Sequence, residues 1–222
     1  MQTKIENTDL KVIKVQFSTQ VQYEKSKLFP EIETLNDFHI ITMIAGEKDI
    51  GRTSTFLSLL WAFKWQNLQV NFLNLDRTKT VDYLVQKTPS PDFILVNCPP
   101  GYSEVALPYI KLASFNIVIT SGGKVTSVCS AYDTIKLFIR ALGEEVKFYN
   151  LMRSNLTAKQ NIGLYEKLNN VACRNALSHI AYLGSIPNNN TLKTYLKESN
   201  PKASILKNIL SPYFPIVKQL TN

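Results

Sequence analysis

Six short apolar runs separated by stretches of helical periodicity constrain this chain more than any other feature. The runs are FHIITMIAG (38–46), LQVNFLNLD (68–76), DFILVNCPP (92–100), FNIVITSGG (115–123), EVKFYNLM (145–152) and HIAYLGSIP (179–187). They are rich in Ile, Val and Phe, and several are continuous rather than alternating. Strands buried on both faces of a parallel sheet have that pattern. Helical periodicity falls at 53–66, 102–113, 125–142, 158–176 and 190–198. From Ser127 to Ala141, apolar residues at 128, 131, 132, 135, 138 and 139 form one stripe. The alternation predicts an α/β fold, a doubly wound and mainly parallel sheet flanked by helices. At 222 residues the chain has room for one domain, two at the most. The pattern places the main domain at 37–222, with 1–36 as an N-terminal extension in which five basic and five acidic residues balance. Within that extension KVIKVQFSTQVQY alternates weakly, as a strand or an extended arm would.

Composition narrows the function classes. Apolar residues make up 45% of the chain, which excludes a disordered tail. The net charge of +8 admits an anionic partner such as nucleic acid, nucleotide or acidic membrane without proving one. Cys98, Cys129 and Cys173 are odd in number and widely spaced, and His39 and His179 are the only histidines. No zinc spacing exists, and reduced thiols are the simplest expectation. Cys98 and Cys129 read as small buried hydrophobes, His39 as structural, and Trp61 and Trp65 as core. No uninterrupted apolar run reaches the ~18 residues that a membrane-spanning helix needs. The first residues lack an apolar signal core, so the expected location is cytoplasmic.

The sharpest local signal is Gly46-Glu47-Lys48-Asp49-Ile50-Gly51-Arg52-Thr53. It follows an apolar strand and opens the apolar helix TFLSLLWAFKW. Spacing and context are those of a phosphate-binding loop, GxxxxGK followed by Ser or Thr. Two glycines let the backbone wrap an anion, amides point inward, and the helix N-terminus adds positive potential. Gly46, Lys48, Asp49, Ile50, Gly51, Arg52, Thr53 and Ser54 are thus candidate phosphate-binding residues. The Thr53 hydroxyl stands where a Mg²⁺ ligand belongs. Arg52 keeps the charge of the expected lysine but is a bulkier planar fork. Further on, LNLDRT ends a strand with Asp76, and DFILVNCPPG places Asn97 at the end of the next apolar strand. A phosphoryl-transfer site needs that order, because one carboxylate positions water and another holds the metal shell.

These segments resemble the MinD/ParA group of deviant P-loop ATPases. There a KGGxGKT loop is followed by strands ending in D-x-D and D-x-P-x-G. The stretch ITSGGKVTSVCSAYDTIKLF resembles the T-x-P-E-P-T-S-I-T-D-A-Y-x-x-I-K segment of MinD-type proteins and of their FlhG/FleN relatives that count flagella. FYNLMRSN, with Asn150, resembles the strand whose Asn contacts the adenine. YLGSIPNNNTLKTYLKESNP, with Pro187, resembles the G-x-I-P-x-D loop. The resemblance covers about 38–210 and implies a shortened MinD/ParA-like core, because only 15 residues separate Asp76 from Asp92.

Against that resemblance the departures are systematic. The family's signature lysine falls on Glu47 and its second loop lysine on Arg52. The first Asp of D-x-D is Asn74, and the second-strand Asp is Asn97. Asn97 brings no negative charge to a metal shell, and Glu47 sets an anion where a cation should face phosphate. The resemblance therefore implies a degenerate nucleotide site, with ATP or ADP and Mg²⁺ as its cofactors where it still binds. Hydrolysis would be weak or absent, a pseudo-ATPase, and Asp76 is the remaining candidate to orient water. With Glu47 in the signature position, the family's ATP-sandwich homodimer is not expected.

The leading expectation is a MinD/FlhG-like regulatory or positioning protein acting through protein partners, in flagellar or polar-organelle assembly. A ParA-like partition factor binding nucleotide and non-specific DNA is one alternative. A scaffold with an empty phosphate loop is another. The flagellar relatives' D-Q-A-x-x-L activator motif is absent from 1–36. The last 40 residues carry five lysines against Glu198, so DNA or an anionic membrane could be touched there. Pro212 and Pro215 break any long terminal helix, which favours packing on the sheet.

Overall fold

The computed structural model describes residues 27–28, 38–76, 90–174, 180–188 and 203–222. The predicted helix at 190–198 and nearly all of the N-terminal extension lie outside the described residues.

The six apolar runs all become strands: β1 (His39–Ala45), β2 (Val70–Asn74), β3 (Phe93–Asn97), β4 (Phe115–Ser121), β5 (Phe148–Arg153) and β6 (Ile180–Ile186). They form one sheet in the order β2-β3-β1-β4-β5-β6, and every pairing is parallel. Helices fill the crossovers: α1 (Arg52–Trp65), α2 (Leu107–Leu112, preceded by a 3-10 turn at Glu104–Ala106), α3 (Val125–Leu142) and α4 (Ala158–Arg174). Two more, α5 (Ala203–Leu210) and α6 (Phe214–Thr221), flank a 3-10 turn at Ser211–Tyr213. The expected doubly wound α/β fold is the fold observed.

Strand periodicity splits the core into two layers. Ile41, Met43, Leu95, Ile117, Ile119 and Leu151 face one side, together with α1. Ile40, Ile44, Ile94, Val96 and Val118 face the other, with residues of α3 and α4. Leu28, from the predicted extension, packs on this second layer. Burial on both faces is what made the strand runs continuous.

α1 has buried residues nearly all round, including Phe56, Leu57, Leu59, Leu60 and Phe63. One side lies on the sheet, and α5, α6 and the turn between them cover the other. The terminal segment does this with Leu206, Leu210, Tyr213, Ile216, Val217 and Leu220, all buried. Its chain breaks at Pro212 and Pro215, as the ring geometry demands. Lys207 and Lys218 stay exposed. Two expectations change here. Trp61 packs against the core, but Trp65 is 37% exposed at the end of α1. Cys129 is exposed on the outer side of α3, whereas Cys98 is buried.

One polar knot ties the middle of the sheet. The Thr42 hydroxyl donates to Asn116 Oδ1 at 2.6 Å, and Asn116 Nδ2 donates to the carbonyls of Ile110 and Lys147, each at 3.2 Å. Asn116 is 2% exposed, so Asn116→Leu strands the buried Thr42 hydroxyl and Ile110 carbonyl and also takes the donor from the Lys147 carbonyl. We expect a loss of about 2 kcal/mol, read as a lower denaturant midpoint at unchanged slope. Thr42→Val in the same chain should recover part of it, because it removes one of the stranded groups.

Candidate functional site

In an open parallel sheet, ligands settle at the carboxyl ends of the strands where the strand order reverses. Here the order reverses around β1, which lies between β3 and β4. The loop leaving β1 sits at that point.

Its glycines are required by geometry. Gly51 caps α1 in the left-handed region at φ +81°, with no side-chain cap on the helix N-terminus. A Cβ there would overlap the Arg153 guanidinium. Gly46 lies against the backbone of Ser130 and Ala131 in α3, leaving no room for a side chain. Asp49 also has a positive φ, 60°. Ile50 is buried at 4% exposure and anchors the loop in the core. Its carbonyl accepts from Arg153 Nη1 at 2.8 Å.

These elements surround a cavity of about 630 Å³ lined by Lys48, Asp49, Gly51, Arg52, Thr53, Ser54 and Asp76 among others. Seven of the predicted site residues are therefore brought together. Gly46 and Ile50 shape the loop from behind rather than lining the cavity. Pro187 is exposed just past β6, next to Asn188, which does line the cavity.

Asn150 is not brought to the site. It lies midway along β5 with no exposed surface, and Nδ2 donates to Thr120 Oγ1 at 2.9 Å and to the Val118 carbonyl at 3.3 Å. Its place is the interior of the sheet, beside the register shift between Asn150 and Leu151, and it does not line the cavity. The side chain from β5 that does line the cavity is Arg153. Sequence reasoning passed over it, along with Pro100 and Asn188. A basic residue closing an otherwise apolar strand was the available signal.

Arg52 is 6% exposed and reaches from the first turn of α1 to the carboxylate of Asp76, with which it forms an ion pair. Its Nε and Nη1 are buried and have no hydrogen-bond partner. Burial lowers its pKa, an effect opposed by Asp76, though a guanidinium stays charged at any relevant pH. Asp76 thus neutralises the loop's own cation, and this engagement argues against its expected role of orienting water.

The strand ends that should be acidic form a neutral pair instead. Asn97 Nδ2 donates to Asn74 Oδ1 at 2.9 Å. Beside them Cys98 is fully buried, and burial pushes its thiol up to about 12. Nearby, burial also raises Tyr213, although its hydroxyl bonds Ser58 and Thr55 and faces Arg153. Both groups hold their protons more tightly folded than unfolded. The Cys98 contribution to stability is complete below pH 9 and is lost as pH rises toward 12, and the Tyr213 contribution is lost as pH rises above 10. A water-soluble thiol reagent should label Cys129 and Cys173 in the native protein, and Cys98 only after unfolding.

The residues fit a polyphosphate: a helix N-terminus, a left-handed glycine and a buried guanidinium with two donors to spare. They do not fit Mg²⁺. Thr53 lines the cavity, but at the strand ends the neighbouring groups are an amide pair, a protonated thiol and a carboxylate already held by Arg52, and the other carboxylates of the lining, Glu47 and Asp49, sit on the loop itself. Among the described residues no group of three or more His, Cys, Asp or Glu side chains could hold a metal ion.

No family model and no curated protein matches the sequence. Solved structures match its fold. One is a chain of the MinC:MinD cell division protein complex of Aquifex aeolicus, with TM-score 0.58 and 13% identity, covering 82% of this chain and 95% of that one. A plasmid partition protein of Borrelia burgdorferi bound to AMPPNP gives TM-score 0.61 at 12% identity, over 83% and 98%. pNOB8 ParA bound to nonspecific DNA gives 0.57 at 10%, over 83% and 99%. At such identities the likeness carries the fold: this chain has the P-loop ATPase fold of MinD and ParA proteins. Among the described residues no helix is long and apolar enough to cross a membrane.

Proposed function

We propose that the chain is a nucleotide-binding regulatory or positioning protein of the MinD/ParA kind, with weak or absent ATP hydrolysis. We take the FlhG branch as its functional model, acting through protein partners in flagellar or polar-organelle assembly. The observation that carries this reading is the Arg52–Asp76 ion pair over the Asn74–Asn97 amide pair, set in a loop that still has phosphate-binding form. The cradle is retained and the acidic machinery is not. Positioning and charge stabilisation supply most of phosphoryl-transfer catalysis, so losing the carboxylates removes turnover before it removes binding.

Partner binding is supported by analogy with the matched complex of MinD and MinC. At the described end of the chain, contact with an anionic membrane would rest on Lys207 and Lys218, because most apolar residues of α5 and α6 are packed into the core. The test pairs thermal protection with phosphate release. ATP should raise the unfolding midpoint, while phosphate release stays at the level of a protein-free blank. Steady turnover abolished by Asp76→Ala would overturn the pseudo-ATPase reading. Binding to DNA that weakens steeply with salt would favour a partition factor instead.

A further inference from the structure

The side chain of Arg52 crosses the site in an informative direction. It starts at the first residue of α1, behind β1, and ends on Asp76, just past β2. In the order β2-β3-β1 this path runs over the carboxyl end of β3. There lie the buried Cys98 thiol and the hydrogen-bonded amides of Asn97 and Asn74. A P-loop ATPase needs a divalent cation held by the loop's Ser or Thr and by an Asp at a strand end. Here a guanidinium lies over the strand end, and the groups beneath it are neutral. A dication placed there would meet a fixed positive charge, neutral amides in place of the strand-end carboxylates, and an Asp76 already paired.

We propose that Arg52 is the resident cation of this site, so that the loop binds polyphosphate without a divalent metal. The proposal rests on the reading that the loop takes the phosphates of a nucleotide. Two structural facts support it independently. Arg52 is buried and still has two hydrogen-bond donors, Nε and Nη1, without partners. The N-terminus of the 14-residue helix α1 is uncapped by any side chain and opens on the same cavity. A planar fork suits two phosphate oxygens at once. Asp76 then acts as an internal counter-anion, holding the guanidinium until a polyphosphate shares or displaces it. Glu47 and Asp49, also lining the cavity, tune the affinity downward.

The test is calorimetric titration of the full chain with ATP and with inorganic triphosphate, once with Mg²⁺ and once with EDTA. The expected dissociation constants agree within about threefold between the two buffers. Arg52→Ala should weaken binding at least tenfold in both. The double variant Arg52→Ala/Asp76→Asn guards against loss of folding, since it removes the pair together, and it should be equally weak. Arg52→Lys with Asn97→Asp clears the strand end and restores a carboxylate, and should make binding respond to Mg²⁺.

Binding at least tenfold weaker in EDTA would overturn metal independence and leave the nucleotide reading standing. Equal binding in EDTA that survives in the folded double variant would overturn the role of Arg52 alone. No binding of either anion in either buffer would overturn the nucleotide reading, and this proposal with it.

Discussion

Gly51→Ala will lower the stability of this protein by about 4 kcal/mol. The estimate has two parts. At φ +81° an L-residue pays roughly 1–2 kcal/mol for the left-handed conformation. The added Cβ also overlaps the Arg153 guanidinium, which is 2% exposed and donates to the Ile50 carbonyl. Losing a hydrogen bond from a charged donor to a buried carbonyl costs about 1.5–3 kcal/mol more, so the sum centres near 4 kcal/mol. Against a total stability of roughly 5–15 kcal/mol, that is a large fraction. The measurement is denaturant unfolding followed by circular dichroism. Gly123→Ala is the matched control, because a Cβ there meets nothing within 4 Å; its change should stay within about 0.5 kcal/mol. The double variant Gly51→Ala/Arg153→Met should be less destabilised than the sum of the two singles, since the clash is shared. A loss under about 1 kcal/mol for Gly51→Ala would mean that Arg153 does not brace the loop.

The same pair shows where sequence reading stops. The strands were legible because each is buried on both faces, and burial leaves its mark in every residue of a run. The loop was legible because its glycines are local requirements: one for a left-handed turn, one for close approach to α3. The contact between Gly51 and Arg153 joins residues far apart in sequence that meet only because β4 and β5 follow β1 in the sheet. Nothing in the spacing encodes that order. Asn150 lies off the cavity for a related reason. The resemblance picked out the residue type, but register decides whether a side chain reaches the strand end. Asn150 pairs with Val118 in mid-strand, whereas Arg153 pairs with Ser121 at the end. The Arg52–Asp76 pair was hidden in the same way. Both residues were named from their motifs, one to hold phosphate and one to orient water. Only the three-dimensional path of Arg52 across β3 shows that they engage each other.

Asp76→Ala should therefore behave in two opposite ways, depending on what else is in the tube. Without an added anion it leaves the Arg52 guanidinium buried and uncompensated, its side chain only 7% exposed. Removing one partner of a buried pair costs about 3–5 kcal/mol. Asp76 itself is 21% exposed, so water softens the loss and about 3 kcal/mol is the expected figure. For a chain of this length that is a fall of roughly 6–12 °C in melting temperature. With pyrophosphate or ATP present, the same vacancy becomes an advantage, because the anion no longer competes with a built-in carboxylate. Saturation at about a hundred times the dissociation constant returns about 2.7 kcal/mol, and tighter binding returns more at the same concentration. The melting temperature of Asp76→Ala should therefore climb more steeply with pyrophosphate than that of the parent protein, and largely close the gap. Asp76→Asn keeps a neutral oxygen acceptor, so it should start higher and climb less. Equal slopes for parent and Asp76→Ala would show that Asp76 does not compete with ligand. A melting temperature unchanged by Asp76→Ala would show that the ion pair contributes nothing to stability, and that Arg52 is held in place by its packing alone.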